Sequence, residues 1–168
     1  VAALQVLIDL RTDDQIVITN QASARIFPKL SDHPLDFHYN PSAMGGAIPL
    51  AVGLALAQPQ RHVLVVSGDG SLLMSLGSLV TAASCGAANL TIVVLDNRLY
   101  EVTGGQKTPA TDATIDFPTL ARAAGLATVA GFADLANWRN SAASFLQLPG
   151  PRFVSLCVSR TPPEYLAF

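Results

Sequence analysis

Short β-branched apolar runs alternate along the chain with stretches rich in alanine and leucine. Ile16 to Thr19, Val63 to Ser67 and Thr91 to Leu95 each predict a strand that is apolar at nearly every position. Such runs suit a parallel sheet, whose two faces are both covered by helices. Ala127 to Ala130 and Phe153 to Val158 predict two further strands. Between these runs, Gly46 to Ala57, Leu72 to Cys85, Phe117 to Ala124 and Asp134 to Leu148 predict helices. Pro49 falls in the first turn of its helix, where a missing N–H costs little. Asp116 stands where the N-cap of the Phe117 helix is expected. Alternation of strand and helix predicts an α/β domain, doubly wound around a mostly parallel sheet with helices on both faces. The 168 residues suffice for one such domain with a proper core, and no repeat or low-complexity linker divides them.

Composition changes this picture in one respect. Only 13% of the residues are charged and 50% are hydrophobic, where about 25% charged is ordinary for a soluble domain. Part of the surface is therefore expected to be buried against another chain. The small apolar helices Ala47 to Ala57 and Leu72 to Ala88 are the faces that would supply it. An alanine-rich composition is the plainer alternative.

A net charge of −2 without a basic stripe excludes nucleic acid as an expected partner. The longest apolar run, Ala47 to Ala57, is too short for a bilayer. Cys85 and Cys157 lie far apart within apolar runs, so both are expected to be reduced core thiols. With no signal-peptide pattern, a cytoplasmic location is the expectation.

Two predicted strands end in unusual residues. The second runs into Gly68-Asp69-Gly70-Ser71, and the third into Asp96-Asn97-Arg98-Leu99-Tyr100. Glycines at a strand-to-helix junction allow backbone to approach a ligand closely, and the N–H groups of the next helix favour an anion. A carboxylate there would repel an anion unless a cation lies between them. In a doubly wound sheet ligands bind beyond the carboxyl ends of the strands. If these two strands are neighbours, Asp69 and Asn97 meet at one edge. A carboxylate oxygen, an amide oxygen and loop carbonyls form a hard, all-oxygen set that suits Mg²⁺ or Ca²⁺ and not zinc. The alternative is an ordinary turn in which Asp69 only caps a helix.

Gly68-Asp69-Gly70, followed by residues 71 to 96 and then Asn97, resembles the signature of the thiamine diphosphate-dependent enzymes. Upstream, Pro41 to Ala57 (PSAMGGAIPLAVGLALA) resembles the segment of that family that contacts the aminopyrimidine ring. Together the motifs and strand pattern resemble the diphosphate-binding domain of thiamine-dependent 2-oxoacid decarboxylases. The resemblance implies Asp69 and Asn97 as side-chain ligands of Mg²⁺ and Leu99 as a ligand through its carbonyl. It implies that Gly68, Gly70 and Ser71 cradle the diphosphate. It implies that the backbone of Ser42 and Met44 binds the pyrimidine edge, with the Met44 side chain wedged beneath a V-shaped cofactor. Taken alone, Met44 would more often be core filler.

In the same family a glutamate beside the pyrimidine lies on a separate pyrimidine-binding domain. This chain leaves no room for one, so the resemblance implies a pyrimidine-domain α subunit as partner. The run Thr103-Gly104-Gly105-Gln106, with Lys107 and Thr108 after it, resembles the sulfopyruvate and phosphonopyruvate decarboxylases. Residues Thr103 to Lys107 would cradle an anionic substrate tail, with Lys107 supplying charge, or form a mere surface loop. Typical pyruvate decarboxylases have a glutamate where Thr103 stands. Glu101 is a tempting general base, but geometry must come first. His38 faces substrate or is simply packed. The expected function is the diphosphate-binding subunit of a lyase that decarboxylates a 2-oxoacid. The alternatives are part of an acetolactate-synthase-like carboligating lyase and a catalytically silent thiamine diphosphate-binding module.

Overall fold

The computed structural model describes residues 1–112 and 115–166. Six strands form the main sheet: β1 (Ile16–Asn20), β2 (Asp36–Tyr39), β3 (Val63–Gly68), β4 (Leu90–Asp96), β7 (Thr128–Phe132) and β8 (Arg152–Cys157). Their order is β2-β1-β3-β4-β8-β7, and every pairing is parallel. Two short strands, β5 (Leu99–Tyr100) and β6 (Gln106–Lys107), form a separate antiparallel ribbon. The helices are α1 (Ala2–Asp9), α2 (Gln21–Ile26), α3 (Ala47–Ala57), α4 (Asp69–Leu73), α5 (Gly77–Ser84), α6 (Phe117–Ala123), α7 (Leu135–Leu146) and α8 (Pro163–Leu166).

The period of two along a strand sends neighbouring side chains to opposite faces, so continuous apolar runs fill two cores. Ile18, Val65, Ile92 and Phe153 join one core with residues of α3, α5 and α6. Val17, Leu64, Val93 and Val154 join the other with residues of α1, α2 and α7. The expected doubly wound architecture is the observed one.

The strands departed least from expectation, and the helices more. The helix expected over Leu72 to Cys85 is two helices, with Met74–Leu76 between α4 and α5. The break lies where the loop before α3 crosses. Gly45 there has φ +82°, and a Cβ on it would come within 2.8 Å of Ser75 Cβ. α1, α2 and β2 are not announced by the sequence pattern. β2 is an edge strand with one neighbour, and its Phe37 remains 47% exposed. Asp116 does occupy the N-cap position of α6, yet its carboxylate takes the Thr119 hydroxyl and no cap hydrogen bond.

Among the described residues both cysteines are free; Cys85 packs against one core, but Cys157 is not a core thiol. Cys85 is half-buried at the end of α5, and Cys157 is exposed because it ends β8, where the sheet edge opens. Among the described residues, no helix is long and apolar enough to cross a membrane. Leu56, Met74 and Val80 are more than half exposed on or beside α3 and α5, the helices expected to present an apolar face.

Candidate functional site

From β1 the chain moves outward to β2, whereas from β3 it moves the other way to β4. The connections leaving β1 and β3 therefore diverge, and a crevice opens between their carboxyl ends. A cavity of about 350 Å³ lies there. Its walls include Asn20 and Gln21 beyond β1, Gly68 to Ser71 beyond β3, and Asn97 and Leu99 beyond β4.

The two suspect strand ends are neighbours. β3 pairs with β4 in a register that sets Gly68 opposite Leu95. Asp69 and Asn97 therefore leave adjacent strands at nearly the same height, and both line the cavity. Asp69 is 1% exposed, and its Oδ2 accepts the Thr108 hydroxyl at 3.0 Å. Burial pushes its carboxyl above the usual range. The Thr108 hydrogen bond opposes that shift, and the nearby Asp96 carboxylate adds to it. Asn97 Oδ1 accepts the Leu99 N–H at 2.9 Å, closing a tight turn.

Leu99 stands opposite Lys107 in the ribbon, while the flanking Arg98 carbonyl accepts the Thr108 N–H. In an antiparallel pair, bonded and non-bonded residues alternate. The alternation turns the Leu99 backbone groups away from β6, on the side of Asn97 Oδ1.

Gly70 lies against the Tyr100 ring, and a Cβ on it would come within 2.5 Å of Cε1. Gly68 meets nothing within 4 Å in the direction of a Cβ, so its missing side chain leaves open space on the cavity wall. Ser71 Oγ accepts the Gly45 N–H at 2.9 Å and Asn20 Nδ2 at 3.1 Å. With both lone pairs taken, its O–H is left to donate. Asn20 Oδ1 is buried and, among the described residues, has no hydrogen-bond partner. An orphaned polar atom on this wall fits a polar occupant.

Met44 lines the cavity, half-buried. Ser42 does not, and its hydroxyl accepts Gln21 Nε2 at 2.8 Å. Thr103 lines the rim, exposed. Lys107 is elsewhere: it is exposed and reaches Asp112 at 3.4 Å. Glu101 lines the cavity, but both its oxygens are engaged, by the Thr161 N–H at 2.6 Å and the Thr161 hydroxyl at 2.7 Å. His38 lies outside the cavity lining and meets Thr19 Oγ1 through Nδ1 at 2.9 Å.

The sequence pattern does not single out Asn20, Gln21, Thr108 or Arg160. Asn20 carried the one available signal, since Asn20 to Ser23 has capping-box spacing at a strand end, and the Ser23 hydroxyl accepts the Asn20 N–H at 3.2 Å. Gln21 has φ +54° and Arg98 φ +62°. Backbone strain in non-glycine residues thus sits at the ends of β1 and β4, beside the site.

The family described as thiamine pyrophosphate enzyme, C-terminal TPP binding domain matches residues 20–156. The phosphonopyruvate decarboxylase of Streptomyces viridochromogenes is 38% identical over 94% of this chain and 39% of its own length. The sulfopyruvate decarboxylase subunit beta of Methanothermobacter thermautotrophicus is 42% identical over 87% of this chain and 75% of its own. The chain thus spans well under half of the first relative and three quarters of the second. A 2-oxoglutarate:ferredoxin oxidoreductase from Magnetococcus marinus superposes with a TM-score of 0.74 at 17% identity, over 95% of this chain and 61% of that one, a likeness of fold. The chain belongs to the thiamine pyrophosphate enzyme family, as its C-terminal cofactor-binding domain.

Proposed function

We propose that this chain is the diphosphate- and Mg²⁺-binding part of a 2-oxoacid decarboxylase of the sulfopyruvate or phosphonopyruvate type. One observation carries the reading. Asp69 and Asn97 leave paired strands into one cavity whose oxygen groups suit a hard divalent cation. Asp69, Asn97 and the Leu99 carbonyl would hold Mg²⁺, which offsets the charge of the diphosphate. The N–H groups of Gly70 and Ser71, the free Ser71 O–H and the open space at Gly68 suit the diphosphate itself. Met44 supplies the apolar wedge and, through its backbone, the pyrimidine edge, whereas Ser42 lies outside the cavity lining and holds Gln21 instead.

Bound there, thiamine diphosphate supplies the electron sink that a leaving CO₂ requires. The protein's own part is to orient the reacting partners and exclude water. Apolar Leu4, Phe132, Leu135 and Trp138 line the same cavity and lower its polarity. The pyrimidine-binding domain is supplied by an α subunit, a reading supported by the subunit beta that this chain resembles. The exposed apolar residues of α3 and α5 fit a buried face in that assembly, in the cytoplasm.

The test is to co-purify the chain with its pyrimidine-domain partner, load Mg²⁺ and thiamine diphosphate, and measure CO₂ release. Sulfopyruvate and phosphonopyruvate should be turned over well and pyruvate poorly. Carboligation without net aldehyde release would favour the acetolactate-synthase-like reading, and absence of turnover on every 2-oxoacid the silent module.

A further inference from the structure

The substrate class proposed above carries a tetrahedral oxyanion on C3, a sulfonate or a phosphonate, and such a group calls for a cation in the cavity. Lys107 does not supply it, because it points away from the cavity toward Asp112. Among the described residues lining the cavity, Arg160 is the sole cationic side chain. It follows β8, just after Ser159, on the segment that crosses the rim.

Among the described residues the guanidinium makes no hydrogen bond or ion pair. Arg160 is exposed, and the chain that carries it is anchored beside it. Its neighbour Thr161 is fixed to Glu101 by two hydrogen bonds, 2.6 and 2.7 Å long. Its own fork lies against Gly105, where a Cβ would collide with Nη2. Gly105 has φ +76° and Gly104 φ +132°, so the glycine pair both turns the loop and leaves room for the guanidinium. Glu101 turns both its oxygens to Thr161 and, among the described residues, forms no ion pair with Arg160, so the fork is open.

We propose that Arg160 binds the sulfonate or phosphonate tail of the substrate and is the residue that sets preference for a charged C3 group over a methyl. This rests on the decarboxylase reading. A planar guanidinium matches the oxygen pairs of a tetrahedral anion in two parallel hydrogen bonds. The tail is not consumed when CO₂ leaves, so the contact persists from bound substrate through the chemical step. Its loss therefore appears chiefly in substrate affinity, with a smaller effect on turnover through misplacement.

The test uses the assembled enzyme carrying Arg160→Gln or Arg160→Lys, with sulfopyruvate, phosphonopyruvate and pyruvate as separate arms. Arg160→Gln should lower kcat/KM for the tailed substrates by roughly 10- to 100-fold, mostly through KM, and leave pyruvate nearly unchanged. Arg160→Lys should fall between, because it keeps the charge and loses the fork. The arm that loses more identifies the tail the site prefers. Thiamine diphosphate affinity, read by calorimetric titration of the assembled enzyme, should not change. Equal losses on all three substrates, or a weakened cofactor, would overturn the proposal and give Arg160 to the cofactor diphosphate. A direct arm keeps the question separate from turnover. Sulfoacetate and phosphonoacetate should bind the loaded wild-type enzyme and bind Arg160→Gln at least 10-fold more weakly. If the wild type turns over no tailed 2-oxoacid, the decarboxylase reading falls, and this binding comparison alone decides Arg160: equal binding by wild type and variant overturns it.

Discussion

Glu101 receives both the N–H and the hydroxyl of Thr161, at 2.6 and 2.7 Å, and so ties the loop after β5 to the segment after β8. This is the geometry of a clamp. A hydrogen bond to a charged group is worth about 1.5–3 kcal/mol, and Glu101 is only half-buried. Glu101→Ala should therefore lower stability by about 1–3 kcal/mol in urea unfolding. Glu101→Gln keeps one acceptor and should lose less while retaining most turnover. Full stability with abolished turnover in the Gln variant would restore Glu101 as a general base.

The oxygen set leads to a prediction about cofactor loading. Mg²⁺ and thiamine diphosphate at about 100 times their dissociation constant should raise stability by roughly 2.7 kcal/mol, if only the folded chain binds them. Chelation with EDTA should remove that shift. Asp69→Ala and Asn97→Ala should each abolish it. Thr108→Val should weaken it without abolishing it, since Thr108 only steadies Asp69 Oδ2. A full shift in Asp69→Ala would sink the metal assignment.

Met44 separates binding from chemistry. Met44→Ala removes the proposed apolar wedge from the cavity wall but leaves the proposed diphosphate contacts at Gly70 and Ser71 intact. Cofactor affinity should fall a few-fold and kcat by much more, because only contacts specific to the reacting geometry act selectively on kcat. Parallel losses in the two, measured by titration and steady-state assay, would mark Met44 as ordinary packing.

Much of this architecture is legible in the sequence because a parallel sheet covered on both faces must be apolar throughout. β3 and β4 are therefore plain as runs, and their register brings Asp69 beside Asn97. What stays hidden is set by tertiary contact. β2 is a half-exposed edge strand without a continuous apolar run, and α1 buries Leu4 and Leu7 only because α7 lies against it. The break before α5 depends on the crossing of Gly45, which lies far away in sequence. Arg160 is the sharpest case. Lys107 sits inside the motif and draws attention, yet only the fold reveals that Arg160 reaches the cavity and Lys107 does not.

His38 gives a pH dependence that is independent of the metal ligands. Burial pushes its imidazole below the ordinary 6.5, Asp36 opposes this shift, and Arg11 adds to it. The unfolded chain then binds the proton more readily than the folded one. His38 therefore adds no penalty above the unfolded value and destabilises the fold as the pH falls from about 6.5 through the lower folded value. Thermal melts between about pH 7.5 and 5.5 should show this loss in the wild type and a shallower one in His38→Gln. An identical slope in both proteins would remove His38 from the account.

The remaining prediction concerns the carboxylate needed beside the pyrimidine ring. Three carboxylates line the cavity among the described residues: Asp69, Glu101 and Asp134. Asp69 accepts from Thr108 and belongs to the proposed metal set. Glu101 is filled by Thr161. Asp134 caps α7, taking the Asn137 N–H at 2.8 Å and the Asn137 side-chain amide at 2.6 Å. Each is already committed to a protein partner. Saturated with Mg²⁺ and thiamine diphosphate, this chain alone should bind its cofactor yet release essentially no CO₂ from any 2-oxoacid. Its exposed Leu56, Met74 and Val80 should drive self-association until the partner covers them. Adding a pyrimidine-domain α subunit should restore turnover and a defined stoichiometry in light scattering. Changing that subunit's pyrimidine-facing glutamate to Gln should abolish turnover again while assembly persists. Robust CO₂ release by the chain alone, insensitive to the added subunit, would mean that one of the three carboxylates is released from its partner and serves, and Glu101→Gln would then be the variant that stops it.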